Sequence, residues 1–490
     1  MHISKFLLSV FLVLLTFCVQ AEITLPKILQ SNMVLQRDKP LPIWGKAAPG
    51  EAITVTFGNQ KKKATAGADG NWEVVLDPLT TSATPATMTI AGSNTITLEN
   101  LLVGEVWLCS GQSNMEFTMA KSAKFADAKR SKGMTEEELQ KVNYPNIRVY
   151  LVRKDHYKKG GLPSSWEEAD FMSVKDFSAP GFFFAEKLHQ NLDIPIGIIA
   201  ASVSGTHIER WAPEQTLKGD TSFDVKATKT QEEVGDIKNG KFYYGMIQPL
   251  APFALRGFLW YQGETNCFQA ETFDYTEKMQ ALISTWRHIW RDAEMPFYYV
   301  QIAPFAYSQS EDKHPRTVET LPQFWEAQAA ALRIPETEMI VTTDLVDSIA
   351  DIHPTYKWEI GRRLASVALA KSYSQNVTYS GPVFKQMKVK RMKAVLEFDH
   401  VGSGLTSDNG KPLTWFTIAG ADGRFVPAKA VIKGKTVVVT APGVKSPTAV
   451  RFAWNEAAQS NFFNKEGLPA RPFRTNAPEW QPKTLSSSRP

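Results

Sequence analysis

VWLCSGQSNM occupies residues 106–115, and the reading of the whole chain turns on it. Its first part is an apolar run ended by Ser110-Gly111, the form of a buried strand entering a tight turn. Four further runs share that form: IPIGIIAASVSG (194–205), LRGFLWYQGE (255–264), MPFYYVQIAPF (295–305) and MIVTTDL (339–345). Between them, GFFFAEKLHQNL (181–192), FDYTEKMQALISTWRHIWRDA (273–293) and PQFWEAQAAALRI (322–334) place apolar residues at i, i+3 and i+4 with few breakers. Strands alternating with amphipathic helices predict an α/β unit with a mainly parallel, helix-covered sheet. Function in such sheets sits at the carboxyl ends of the strands.

Outward from this unit the texture changes. Residues 22–103 read as short alternating runs, among them LPIWG (41–45), ITVTFG (53–58) and NWEVVL (71–76), punctuated by Pro-Gly at 49–50 and Asp-Gly at 69–70. The last part repeats this in MKVKRMKAVLEFDHV (387–401), KAVIKGKTVVVTAP (429–442) and AVRFAW (449–454). The expected division is a leader at 1–21, a β-sandwich-like domain at 22–103, a catalytic α/β domain at 104–375 and a second β domain at 376–490. The leader has Lys5, an apolar run from Phe6 and Val19-Gln20-Ala21, the layout of a cleavable export signal. Its apolar run is about a dozen residues, short of the roughly 20 that span a bilayer. An exported protein, periplasmic or secreted and with no membrane span after cleavage, is expected.

Composition excludes several classes. Of 490 residues 43% are hydrophobic and only three are cysteine, which rules out a disordered chain or a disulfide scaffold. Lys and Arg total 55 against 50 Asp and Glu, too even a balance for a nucleic-acid partner. Cys109 and Cys267 remain after the leader, and their positions beside strand ends leave a bridge between them open.

Each strand end carries polar residues. After the first comes Gly111-Gln112-Ser113-Asn114, where a glycine before a serine lets a tight turn present the hydroxyl in a cleft. It is not the G-x-S-x-G elbow, since Met115 stands at the last glycine. The second run ends in Ser204-Gly205-Thr206-His207-Ile208-Glu209-Arg210-Trp211, where Gly205 could offer its N–H to an oxyanion. The third ends in Gln262-Gly263-Glu264-Thr265-Asn266, as suited to a structural polar network as to a site. The last is Asp351-Ile352-His353-Pro354; Pro354 favours an extended His353, which puts Asp351 and His353 on one face. Asp-x-His alone fits a surface loop or a metal pair as well, but the other histidines show no metal-ligand spacing. A serine, two potential oxyanion donors and an Asp-His pair following successive strands together predict a hydrolase working by acyl transfer to Ser113.

The blocks GEVWLCSGQSNMEF (104–117), SGTHIERWAP (204–213), WYQGETN (260–266) and DIHPTYKWEIGRRLA (351–365) resemble those of the sialate O-acetylesterase family, a branch of the SGNH/GDSL hydrolases. LPKILQSNMVLQR (25–37) and PTAVRFAWNEAAQSNFFNKEGLPARPFRT (447–475) are similar to the family's flanking β regions. The resemblance implies a three-layer α/β/α flavodoxin-like domain and a serine esterase acting on O-acetylated carbohydrate without a cofactor or metal. It implies Ser113 as nucleophile, His353 as base and acid, and Ser113, Gly205 and Gln262 as the oxyanion hole. Asp351 is the expected third member, with Asp347, Glu264 or a Ser-His dyad as alternatives. Asn114, Glu264 and Asn266 are substrate or supporting candidates. Trp211 and Trp260 are candidate stacking faces for a sugar ring, with core packing the alternative, and His207 and Arg210 candidate contacts to a sugar carboxylate. Acetylated xylan and other glycans are alternative substrates, and a non-catalytic secreted carbohydrate-binding protein is the alternative function.

Overall fold

The computed structural model describes residues 22–126, 133–153, 164–220, 223–229, 231–311 and 314–482. The expected leader lies outside them. The strands that organise the rest are β1 (Thr95–Gly111), β2 (Asn143–Leu151), β3 (Trp166–Asp170), β4 (Ile196–Ser202), β5 (Gly257–Tyr261), β6 (Phe297–Val300) and β7 (Thr337–Ile340). They lie in the order β7-β6-β5-β1-β4-β2-β3, all parallel except the edge strand β3. The chain is therefore mixed α/β, with the expected mainly parallel sheet. Strands β2 and β3 do not read as apolar runs, because NYPNIRVYL and WEEAD mix Pro, Asn and charge with their apolar residues.

Successive side chains of the buried strands divide between two cores. Leu108, Ile199, Phe258, Trp260 and Tyr299 pack with Met279, Trp286 and Phe324 of the helices Phe273–Ile289 and Thr320–Ala330. Trp107, Cys109, Ile198, Leu259 and Tyr298 pack instead with Phe184, Leu188, Ile360 and Leu364 of the helices Ala179–Leu192 and Lys357–Lys371. A strand buried on both faces has no room for the polar alternation of a half-solvated one, which is why these runs read as continuously apolar. Cys109 belongs to the second core and Cys267 to the first, so the sheet lies between them; both are free thiols and the bridge left open above does not form. Burial pushes the Cys109 thiol up to about 12.

Strand β1 is 17 residues long, and its first half pairs with Ser82–Ala91 and Val34–Gln36 of the N-terminal β region. Ile53, Val55, Met88 and Ile90 of that region join the core on one face of the central sheet. At the other end, small antiparallel sheets built from Val383–Arg474 enclose Leu396, Ile418, Val437, Phe452 and Phe462. Arg474 holds Glu326 of the helix Thr320–Ala330 through two bonds of 2.8 and 2.6 Å, and Arg451 reaches Glu319 at 2.8 Å.

Candidate active site

Strand β1 lies at the point where the chain turns from filling one side of the sheet to the other: β4 flanks it on one side and β5 on the other. The carboxyl end of a strand at such a switch point opens into a crevice. Gly111 closes β1 with φ +142°, and a Cβ there would stand 2.1 Å from the carbonyl oxygen of Tyr261. Only glycine allows β1 and β5 to stay paired while the chain turns into Ser113–Glu116.

A cavity of about 850 Å³ opens over this turn, lined by Gln112, Ser113, Gly205, Thr265 and His353 among others. His353 Nε2 lies 2.9 Å from Ser113 Oγ, within hydrogen-bond reach. Asp351 accepts the backbone N–H of His353 at 2.8 Å, and its Oδ1 stands 3.7 Å from His353 Nδ1. That is an electrostatic contact rather than a hydrogen bond, and the carboxylate is 59% exposed. Asp347 is turned to Tyr356 and Thr355, and Glu264 is buried against Asn114. The loop carrying these residues is anchored by Arg363, which binds Asp344 through two bonds of 2.8 and 2.5 Å and also Glu359 at 2.7 Å.

Gly205 sits across from Ser113 at φ +70°, with open space where a Cβ would be. Its loop is held by Glu116, which accepts the Ser204 N–H at 2.7 Å and also its hydroxyl. This tie joins the second strand end to the Ser113 turn, and Glu116 was not singled out from sequence. A second cavity of about 660 Å³, lined by Arg153, Arg210 and Lys241, shares Glu116, Ser204 and Gly205 with the first.

Several sequence-predicted residues prove structural. Trp211 and Trp260 are fully buried and meet edge to face at 6.0 Å, so neither offers a face to a sugar. The aromatic rings on the cavity are those of Phe117, Phe125 and Phe268, with Phe125 53% exposed. Gln262 is fully buried too; its Nε2 donates to Thr206 O at 3.1 Å and Asn266 Oδ1 at 2.7 Å, while its Oε1 accepts from Tyr275 at 3.0 Å. With both amide hydrogens spent inward, the Gln262 side chain has none to offer an oxyanion, which corrects that expectation. Gln112 takes the position on the cavity: its Oε1 accepts from Gly263, Thr265 N and Thr265 Oγ1 at 3.3–3.4 Å, and its Nε2 makes no hydrogen bond to a described residue. Asn266 is buried, with its Oδ1 on Ile208 N and its Nδ2 on Glu209 and Glu271. Asn114 and Glu264 are likewise buried; Glu264 is among the residues lining the first cavity, and Asn114 is not. His207 is half-buried beside Glu209 and lines neither cavity, whereas Arg210 lines the second.

Desolvation, then the nearby Lys357 charge, holds His353 below the ordinary imidazole value, with Asp351 opposing. An imidazole acts as a base only when neutral, so with His353 as the base activity would be lost as it protonates. The lowered value therefore extends activity downward: the acid limb of kcat/KM is expected below about pH 6.5, the value of a freely solvated imidazole. A pH–rate profile on an acetyl ester measures it, and a limb above that value contradicts the burial argument.

Residues 103–370, more than half of the chain, match the family described as SASA, carbohydrate esterase, sialic acid-specific acetylesterase. Sialate O-acetylesterases from Homo sapiens and Pongo abelii are 29% and 28% identical over 410 residues, covering 76% of this chain and 75% of theirs. The crystal structure of a carbohydrate acetylesterase from Xanthomonas citri is 33% identical and superimposes with a TM-score of 0.81, covering 93% of this chain and all of that one. The strand ends, the cavity and the match over residues 103–370 lead to one assignment: this chain belongs to the sialic acid-specific acetylesterase family of carbohydrate esterases.

Proposed function

We propose that this chain is an exported serine esterase that removes O-acetyl groups from sugars, in the manner of a sialate 9-O-acetylesterase, through an acetyl-Ser113 intermediate. The reading assigns the chemistry to a three-layer SGNH-type domain at residues 104–375, the flanking β domains to 22–103 and 376–490, and export to residues 1–21. The 2.9 Å approach of His353 Nε2 to Ser113 Oγ, in a cavity at the strand ends, carries it.

His353 takes the hydroxyl proton as Ser113 Oγ attacks the acetyl carbonyl. Negative charge on the former carbonyl oxygen is met by the N–H groups of Ser113 and Gly205, with the Gln112 amide as the third donor. The C–O bond to the sugar then breaks and the sugar oxygen leaves with the proton from His353. Water, deprotonated by the same ring, adds to the acetyl-enzyme and releases acetate. Phe125 and Phe268 provide apolar faces for the sugar ring, and Arg210 in the adjoining cavity is suited to a sugar carboxylate.

The experiment is acetate release from O-acetylated sialic acid, acetylated xylan and acetylated pectin, beside p-nitrophenyl acetate and butyrate. Preference for the acetylated sialic acid supports the reading; preference for xylan selects the plant-glycan alternative, no turnover of any ester leaves a binding protein, and faster butyrate hydrolysis indicates a lipase-like pocket. A paired substitution tests the third donor. Gln112→Ala is expected to lower kcat on p-nitrophenyl acetate by about 10²-fold, the usual cost of one lost oxyanion donor. Gln262→Ala is expected to act on thermal stability, because it removes the side-chain amide that donates to Thr206 O and Asn266 Oδ1 and accepts from Tyr275 in the core. Unchanged kcat in Gln112→Ala removes it from the oxyanion hole.

A further inference from the structure

One amide lies beneath both halves of the site. Asn114, next to the nucleophile, is fully buried. Its Nδ2 donates to the carbonyl of Ile352, the residue before His353, at 3.0 Å, and to Glu264 Oε1 at 2.5 Å. Its Oδ1 accepts from Lys357 Nζ at 2.5 Å. The side chain thus ties the Ser113 turn to the end of β5, the loop bearing His353 and the first turn of the helix Lys357–Lys371.

An amide has one donating and one accepting end, so its partners decide which way it faces. Glu264 Oε1 and the Ile352 carbonyl both accept and require Nδ2. The Lys357 amine donates and requires Oδ1. Without that donor the Asn114 oxygen becomes a buried acceptor with no partner, and the amide is held only by its two Nδ2 bonds. Lys357 is itself fully buried, with Nζ 4.7 Å from the Phe117 ring centre and 5.4 Å from that of Tyr261. A buried lysine is costly, and the surrounding rings would accept an apolar side chain of the same length, so packing alone does not explain it.

We propose that Lys357 is a positioning residue of the esterase: it orients the Asn114 amide, and through the Ile352 carbonyl it holds His353 in register with Ser113. The inference rests on the serine-esterase reading above. The groups facing Lys357 are Glu264, whose burial raises its carboxyl, Asp351, and the Phe117 and Tyr261 rings. Burial brings the lysine down to about 7, so it is part-charged near neutrality. His353 in turn feels Lys357 and Lys121, which disfavour its protonation, and Asp351, which favours it.

The test is Lys357→Met in the full chain, assayed on p-nitrophenyl acetate. The expected result is a folded protein whose kcat falls about tenfold or more while KM changes less than about twofold, with the acid limb of kcat/KM moved to higher pH because a cation beside His353 is gone. A lysine serving packing alone would shift melting temperature and, through its lost charge, the limb, while leaving kcat near its starting value. Combined with Asn114→Ala, the double variant is expected to be no slower than the slower single, since both act through one amide. Unchanged kcat in folded Lys357→Met, or losses that multiply in the double variant, overturn the proposal. If Lys357→Met does not fold, Lys357→Gln carries the same two readouts, because it too removes the charge. Absence of turnover by the unmodified protein would count against the esterase reading instead, so the two failures are separable.

Discussion

Ser113→Ala is expected to abolish turnover of p-nitrophenyl acetate to within about 10⁴- to 10⁶-fold of the starting rate, with little change in folding stability. The alanine loses the Oγ that His353 Nε2 addresses at 2.9 Å, and with it the covalent route that splits ester hydrolysis into two steps. Ser113 is only partly buried, and the substitution removes no core packing, so its stability cost is expected within about 0.5 kcal/mol. His353→Ala is expected to be nearly as slow, and Ser113→Ala/His353→Ala no slower than either alone, because the proposed nucleophile and base would act as one unit. Rapid-quench mass spectrometry of the unmodified protein should find one acetyl group on the peptide bearing Ser113 and none in the alanine variant. Full acetate turnover by Ser113→Ala would remove Ser113 as nucleophile, whatever happens at His353.

What the sequence makes legible here follows burial. Strands β4 to β6 and the carboxyl end of β1 are enclosed on both faces, so each had to be a continuous apolar run and each was readable as one. The edge strand β7, Thr337–Ile340, instead starts with the partly exposed Thr337 and Glu338, and only its last two residues fall in the run read at 339–345. The polar residues after those runs were readable as candidates because a buried strand has no use for them. Their division of labour was not. Gln112 and Gln262 are both amides beside a glycine at a strand end, and only the fold tells that one faces the cavity while the other spends its hydrogens on Thr206 and Asn266. Trp211 stands next to site residues in the chain, yet the turn Ile208–Trp211 sends its ring into the core. Lys357 was invisible for a different reason. Four residues after His353 it reads as the solvated face of an amphipathic helix, the usual place for a lysine, and its burial depends on Asn114 and Glu264 arriving from elsewhere in the chain. Cys109 and Cys267 looked close along the strand ends, but Cys109 on β1 packs into one core, while Cys267, in the helical turn Glu264–Cys267 after β5, packs into the other.

Asp351→Asn is expected to lower kcat about 10²–10³-fold, while Asp347→Asn and Glu264→Gln stay within about tenfold of the starting enzyme. The geometry ranks the three acids. Asp347 is occupied by Tyr356 and Thr355, and Glu264 can be replaced by an amide that still accepts from Asn114. Asp351 is the carboxylate beside His353 Nδ1, at 3.7 Å, a separation that a modest rotation of the ring would close once substrate is bound. Its exposure limits the effect: a buried triad acid is worth about 10⁴ in kcat, whereas a solvated one is screened and orients the ring less rigidly. The pH profile supplies an independent sign. Asp351 raises the His353 value and Lys357 lowers it, so Asp351→Asn should move the acid limb to lower pH and Lys357→Met to higher. Two slow variants displaced in opposite directions would place both groups electrostatically on the same imidazole, a result that general loss of structure does not produce. If Asp351→Asn keeps near-normal kcat while Asp347→Asn or Glu264→Gln loses orders of magnitude, the acid lies there instead; if all three remain near normal, Ser113 and His353 work as a dyad.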